Sequence, residues 1–511
     1  MNDNLRRRLL RRKRVLLQRI DKKKGKTHTP MIRPLRAKYE LAEKVEAVSC
    51  GGIGMVMQLV EQLGLRKHIN QSAPVFKLHA PYDEADHVLN IALNLLAGGT
   101  CLEHLEHRRT DEAYLDALGA ERIPDPTTAG DFCRRFDGFK LLLLMQGINV
   151  ARKKVWKQQS DAFFEQATIE ADGTMVETCG EKKEGIGINY KGQWGYHPLV
   201  VTLAETNELL YLANRSGNRP SGEGSSFYFD RAIELCRNAG FRKILLRGDT
   251  DFSSTQHLDR WDAQDVRFVF GYDANKTLTA IADSLDESAW KPLLRQKKTS
   301  ENPRAKRPNY KEEIVVENGY ENKKLRAESY AEFPYQPGNC KRPYRMVAVR
   351  KDIDVTSGQQ FLFSTEKYFF YISNEPKEEK QSRELIGDGN NRCDQENTIS
   401  QLKASHALTA PLDSLESNWA YMLIASLAWT LKLWSGMMVR VKGNPGQRKT
   451  RKRLRDRVIK MEFSTFLTSL IQIPAQVIRS SRQLKLRILT YRLGVENLFT
   501  LSDHIAMPLR T

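Results

Sequence analysis

Residues 167–177, ATIEADGTMVE, mark the point where the pattern of the chain turns from helix to strand. Upstream, apolar residues recur three and four apart; here β-branched and apolar residues run together and are closed by turn-forming ones. Two more strand-like runs follow, GYHPLVVTLAE at 195–205 and ELLYLANRSG at 208–217. These predict three antiparallel strands. A helix in FYFDRAIELCRNAG (227–240), a strand in KILLRGD (243–249), a helix in STQHLDRWDAQ (254–264) and a strand in VRFVFGYD (266–273) then complete the order β-β-β-α-β-α-β. Consecutive strands followed by alternating helices and strands predict a mixed sheet with helices on its faces.

Working outward, the fold class expected is a multi-domain α+β protein. Residues 1–39 form a basic N-terminal tail, with twelve Lys or Arg in the first 26 positions and leucines spaced for an intermittent basic helix. Residues 40–160 read as a helical DNA-binding domain, through IGMVMQLVEQLGLRKHI, EADHVLNIALNLLAGGT and the runs up to Trp156. Gly98 and Gly99 are expected to break helices there, and PDPTT (124–128) to place Thr127 or Thr128 as an N-cap. A helix-turn-helix that reads DNA fits this region, although helical hairpins serve more often as plain packing units. The first part of the mixed-sheet core spans 161–275, in the arrangement of an RNase H-like nuclease. A β-rich insertion subdomain spans 276–366, where KKTSENPRAKRPNYKEE interrupts the rhythm. The second part of the core, with KYFFYISNE as a sheet strand and one long helix from RELIGDGNNRCDQENTISQLKAS, covers 367–440. A basic C-terminal region, 441–511, contains eight basic residues between 442 and 457.

The charge balance narrows the partners. Lys and Arg number 81 against 62 Asp and Glu, a formal charge of +19 over 511 residues, which favours a polyanion. Seven cysteines without a CxxC pair point to a reducing compartment and to neither a disulfide framework nor a zinc finger. The start of the chain has no uninterrupted apolar stretch of a secretory signal. Trp419–Met438 is long enough to span a bilayer, but Lys432 interrupts it and no companion span exists, so a buried core helix is expected. An intracellular protein with a polyanion and no membrane as partner is the resulting expectation.

Three carboxylates carry the candidate chemistry. Asp172 closes the apolar run TIEAD, and Asp249 closes ILLRGD in the same way. Two strands that each deliver an Asp at the carboxyl end can hold hard oxygen ligands close together for a divalent cation. Taken singly, either aspartate reads more readily as a turn or helix cap. On the helix NRCDQENTISQLK, separations of four and seven put Arg392, Glu396 and Lys403 on one face, where a solvated ion-pair surface is the plain alternative. Asp251, two residues past Asp249, would share its face if the strand continued. His197 in GYHPL reads as a sheet residue bonded to its neighbours rather than as a base.

The motifs ADGT, KGQWGYHPLVVTLAET, RGDTDFS and NRCDQENTISQLK resemble those of DDE transposases from bacterial insertion sequences, most of all the insertion-sequence thirteen-eighty family. The resemblance extends from LAGGTCLEHLEHRRTDEA and PDPTTAGDFCRRF to NWAYMLIASLAWTLKLW. It implies catalytic, metal-binding Asp172, Asp249 and Glu396 on an RNase H-like fold with an insertion before the last helix. Separations of 77 residues from Asp172 to Asp249 and 147 from Asp249 to Glu396 leave room for that insertion. Asp172 would bridge two Mg²⁺ or Mn²⁺ ions, with Asp249 and Glu396 each completing one shell. Arg392 and Lys403 match two more positions of a Tyr, Arg, Glu, Lys signature and are expected to bind DNA phosphates, whereas Gly389 stands where its tyrosine would be. Lys191, which opens KGQWGYHPL, and Trp290 are further expected DNA contacts, Trp290 by stacking on an unpaired base, with a packing tryptophan as the alternative. The activity implied is cut-and-paste transposition: metal-dependent cleavage and strand transfer at terminal inverted repeats and target DNA, by a homodimer in a synaptic complex. The resemblance thereby implies that the polyanion is DNA and the setting the bacterial cytoplasm, associated with the nucleoid. The competing functions are an inactive or domesticated DNA-binding protein, which predicts loss of an acid that is in fact present, and an RNase H-like nuclease that never joins strands.

Overall fold

The computed structural model describes residues 3–21, 45–77, 81–180, 182–295, 310–358, 360–480 and 483–510. Much of the basic tail expected over 1–39, and most of KKTSENPRAKRPNYKEE, lie outside the described residues.

One nine-stranded mixed sheet organises the chain. Its strands are β1 (Gln166–Gly173), β2 (Leu199–Leu203), β3 (Glu208–Ala213), β4 (Lys243–Gly248), β5 (Arg267–Tyr272), β6 (Lys291–Pro292), β7 (Glu321–Tyr335), β8 (Tyr344–Ser357) and β9 (Gln360–Ser373). Their spatial order is β6-β7-β8-β9-β5-β4-β1-β2-β3. β1, β2 and β3 pair antiparallel, as expected, while β4 runs parallel to β1 and β5 parallel to β4. Ala167–Ala171, Leu199–Leu203 and Glu208–Ala213 are buried throughout, because both sheet faces are covered, and so they read as continuous apolar runs rather than alternating ones. Helices Ser225–Ala239 and Thr255–Ala263 supply the crossovers on either side of β4.

The insertion does not fold apart from the core. β7, β8 and β9 are 15, 14 and 14 residues long and form a meander that extends the same sheet. The last four residues of β9 pair with β5, Phe370 opposite Tyr272 and Ser373 opposite Val269. Position 366, expected as a boundary, lies inside β9. The polar stretch Ser364–Lys367 in the middle of the strand made one long strand read as two runs.

The N-terminal helices pack on the other side of a central helix, Leu415–Met437, whose residues from Ser417 onward are all buried. Its indoles fasten it to the sheet edge: Trp419 Nε1 donates to Leu212 O at 2.7 Å and Trp429 Nε1 to Asn207 O at 3.0 Å. Lys432, which excluded a bilayer span on paper, donates Nζ to Ile459 O at 2.6 Å. Among the described residues no helix is long and apolar enough to cross a membrane. Helix Pro126–Cys133 is capped by Asp125 rather than by Thr127 or Thr128: Pro126 takes the first helical position and the Asp125 carboxylate accepts from Thr128 N at 2.9 Å. The basic helix Asp3–Asp21 buries Leu9 and donates Arg12 Nη1 to Ile488 O at 3.1 Å.

Candidate active site

Strand register brings the two aspartates together. In the parallel pair β1/β4, Glu170 stands opposite Arg247, so the positions two residues further along each strand, Asp172 and Asp249, emerge side by side at the carboxyl ends. Beneath them Glu170 and Arg247 form a buried ion pair, Nε to Oε1 at 2.7 Å, and Arg247 Nη1 also donates to Asp388 O at 3.2 Å. That pair ties both strands to the helix Ser382–Asn390 and gives the cleft a rigid floor. The signal for it was present: each aspartate is preceded, two residues earlier, by a charged residue inside an otherwise apolar run.

Arg392 closes the cleft from the third side. Its guanidinium lies between the aspartates, Nη2 to Asp172 Oδ2 at 3.6 Å and Nη1 to Asp249 Oδ2 at 3.4 Å. The side chain of Arg392 is 14% exposed, that of Asp172 19% and that of Asp249 39%. The long helix expected here is two helices, Ser382–Asn390 and Cys393–Ala404, broken at Asn391–Arg392, so that Arg392 caps the second instead of lying on its face. GDGNN at 387–391 explains the break, since Gly and Asn are weak helix formers and favour helix ends.

Gly389 also has a tertiary reason. A Cβ there would stand 2.5 Å from a ring carbon of Tyr371, which enters from β9 and donates its hydroxyl to Asn390 Oδ1 at 3.2 Å. Where the signature residue was missing from the helix, a tyrosine from another element fills the space.

Glu396 sits in the first turn of Cys393–Ala404, a helix packed on β1, with Gln395 Nε2 donating to Val200 O at 3.2 Å. Lys403, near its other end, donates Nζ to Met175 O at 2.7 Å, just past β1. The electrostatics register the crowding. Burial pushes the Asp172 carboxyl up to about 6; Arg392 opposes this, while the charges of Asp249 and Glu396 add to it. Asp249 is raised by burial and by Asp251, again against Arg392. Among the described residues no three His, Cys, Asp or Glu side chains stand close enough to hold one ion together. The donors are nonetheless the hard oxygens that Mg²⁺ and Mn²⁺ prefer, and the crowded carboxylates are offset by one guanidinium, whose place a cation would take.

The remaining candidates fall elsewhere. Asp251 lies beyond the strand in the turn Thr250–Phe252, and its backbone N–H donates to Asp249 Oδ1 at 3.0 Å. Strand alternation therefore does not apply to it, and Asp249 is at once a cap and a cleft residue. Trp290 is 9% exposed, with the Arg350 guanidinium 4.5 Å from its ring centre, so the packing alternative describes it and it is not at the cleft. Lys191 is exposed in the turn 189–193, its ammonium 5.4 Å from the Tyr190 ring. His197 makes a 3.0 Å hydrogen bond between Nδ1 and Arg219 O and packs its ring against Gly173, where a Cβ would meet it at 2.7 Å.

The parallel strands β1 and β4 thus deliver adjacent aspartates, and the helix that carries Glu396 packs on β1. The chain belongs to the family Transposase DDE domain group 1, whose model matches residues 44–505. No curated protein matches it. Among solved structures it is similar to the piggyBac transposase in the cryo-EM structure of that protein's synaptic complex with hairpin DNA, at 10% identity and a TM-score of 0.35, over 91% of this chain and 86% of that one. A likeness of that size carries no argument about individual residues.

Proposed function

We propose that this chain, a member of a DDE transposase family, is the DNA transposase of a bacterial insertion sequence, similar to the insertion-sequence thirteen-eighty family, and that Asp172, Asp249 and Glu396 are its catalytic triad on an RNase H-like core. The observation that carries this is the β1/β4 register, which sets Asp172 beside Asp249 with Glu396 close enough to raise the Asp172 pKa.

Asp172, Asp249 and Glu396 would hold the two Mg²⁺ or Mn²⁺ ions proposed as cofactors. When bound, such ions activate the attacking oxygen and stabilise the leaving one. The protein's own part is positioning. Glu170 and Arg247 lock the strand ends so that the carboxylates need no reorganisation as charge develops. Arg392, released from the aspartates, is placed to receive a phosphate, and Lys403 holds the backbone beyond β1. Water attacks first and breaks the P–O3′ bond at the element end, leaving a 3′-hydroxyl; that hydroxyl then attacks a target phosphate in line and displaces the target strand's own 3′-oxygen. Cut-and-paste transposition by a dimeric synaptic complex, in the bacterial cytoplasm, is the biological setting proposed.

The test supplies purified protein with element ends, Mg²⁺ and a target plasmid. Joined product that disappears in Asp172→Asn is expected. Cleaved ends that never join would reduce the protein to a nuclease, and joining by Asp172→Asn at the wild-type rate would remove Asp172 from the site.

A further inference from the structure

The basic helix Pro445–Lys460 presents a face that nothing else among the described residues neutralises. Its buried side is narrow, Leu454 and Val458, and it lies so close to the central helix that a Cβ on Gly436 would meet Val458 at 3.1 Å. Two of its arginines are used internally: Arg455 donates to Gln159 Oε1 at 2.7 Å and Arg451 to Lys442 O at 2.5 Å. The other six cations, Arg448, Lys449, Lys452, Arg453, Arg457 and Lys460, are exposed.

Several surface arginines elsewhere are paired, Arg66 with Asp83 and Asp86, Arg134 with Asp131 and Asp413, Arg350 with Glu287. Among the described residues none of these six reaches a carboxylate, and Asp456 is the only acid on the helix. Arg448 and Lys449 moreover stand near the helix N-terminus, where the macrodipole disfavours cations. Crowded like charges at that end cost stability unless an anion faces them. The helix is nevertheless held firmly, by an Asn444–Gln447 capping box with Pro445 in the first turn and by Lys432 Nζ on Ile459 O.

Its position gives the charge a use. Just past its C-terminal end, Phe463 N donates to Gln401 Oε1 at 2.9 Å, on the same helix as Glu396 and Lys403. We infer that the exposed face of Pro445–Lys460 is a phosphate-binding ledge that carries the backbone of duplex DNA beside the catalytic cleft. From Arg448 to Lys460 it runs about 18 Å at 1.5 Å per residue, room for roughly five phosphates of one strand at about 3.4 Å per step. The ledge has no groove-reading features of its own, so it binds without regard to sequence and positions rather than specifies. This rests on the transposase reading, and deepens it.

The test measures binding of the full chain to a labelled duplex of about 30 base pairs by fluorescence anisotropy, from about 50 to 300 mM NaCl. The variant carries Arg448→Gln, Lys449→Gln, Lys452→Gln, Arg453→Gln, Arg457→Gln and Lys460→Gln. The slope of log affinity against log salt should fall by about 4, close to 0.9 per lost phosphate contact, and affinity at low salt by more than about 100-fold. Thermal unfolding, followed in parallel, should be unchanged or raised, which separates lost binding from lost fold. A control with Lys323→Gln, Lys324→Gln and Arg326→Gln on β7 should keep the wild-type slope. A six-fold variant with an unchanged slope overturns the ledge, as does wild-type protein that prefers phosphatidylserine vesicles to duplex. Joined product from the wild type together with an unchanged slope overturns the ledge alone and leaves the transposase reading standing.

Discussion

Two arginine–carboxylate clusters lie at different points of the same sheet, and they differ in how completely their partners are met. On β3, Glu208 is fully buried and accepts from Arg152 Nη1 and Trp156 Nε1 at 2.8 Å, Thr206 Oγ1 at 2.8 Å and Trp434 Nε1 at 2.7 Å. Arg152 spends its other donors on Asn149 Oδ1 at 2.8 Å and Leu209 O at 2.6 Å. At the ends of β1 and β4, by contrast, Arg392 reaches its two aspartates only at 3.4–3.6 Å, and its buried Nε has no partner among the described residues. A buried charge whose hydrogen bonds are all made fastens helices to a strand. One whose bonds are left long, beside carboxylates with raised pKa values, fits the cation site proposed above.

The largest effect expected from breaking this contrast is chemical. Asp172→Asn or Asp249→Asn should lower strand cleavage by about 10³-fold or more, with a melting temperature at or above that of the wild type. Breaking the other cluster should do the reverse. Glu208→Gln leaves Arg152 buried without its counter-ion and should cost about 3–5 kcal/mol in denaturant unfolding, so loss of activity would follow loss of fold. If Glu208→Gln were neutral in stability, the distinction drawn here would fail.

Arg392→Gln sharpens the comparison further. With the guanidinium gone, Mn²⁺ binding to DNA-free protein, measured by titration calorimetry, should tighten by about tenfold or more, since a unit charge near 4 Å matters even at an intermediate dielectric. No tightening would mean that Arg392 does not hold the cation's place.

Acidity offers a milder probe. The Asp172 pKa is raised to about 6 from 3.8, so the folded state holds a proton that the unfolded state releases. Its contribution to stability is full below the unfolded value, about pH 4, and is lost as pH rises through about 6. In metal-free buffer the melting temperature of Asp172→Asn should therefore gain on the wild type between those values; a constant difference would contradict the shift. Smallest of all, Asp125→Ala removes a helix cap far from either cluster and should cost about 1 kcal/mol without changing cleavage.

Most of this site was legible because the strands are apolar runs ended by charge. TIEAD and ILLRGD locate Asp172 and Asp249, and β4 lies beside β1 because the crossover helix between β3 and β4 returns the chain to the middle of the sheet. What escaped was tertiary. Nothing local says that Tyr371 of β9 fills the notch at Gly389, or that Trp290 spends its ring on Arg350. The break before Arg392 was written in GDGNN but was masked by the charged periodicity after it. The continuity of β9 was hidden because its exposed middle is polar on both faces. The Glu170–Arg247 floor could have been found, since paired charges in two apolar strands at equal distance from two aspartates imply a register.

The most direct measurement of the central claim is metal rescue of strand cleavage in Asp249→Cys. If Asp249 ligates the catalytic ion, the thiolate substitution should be inactive with Mg²⁺ and recover with Mn²⁺, which accepts softer ligands. Equal activity of Asp249→Cys and wild type in Mg²⁺ would contradict it.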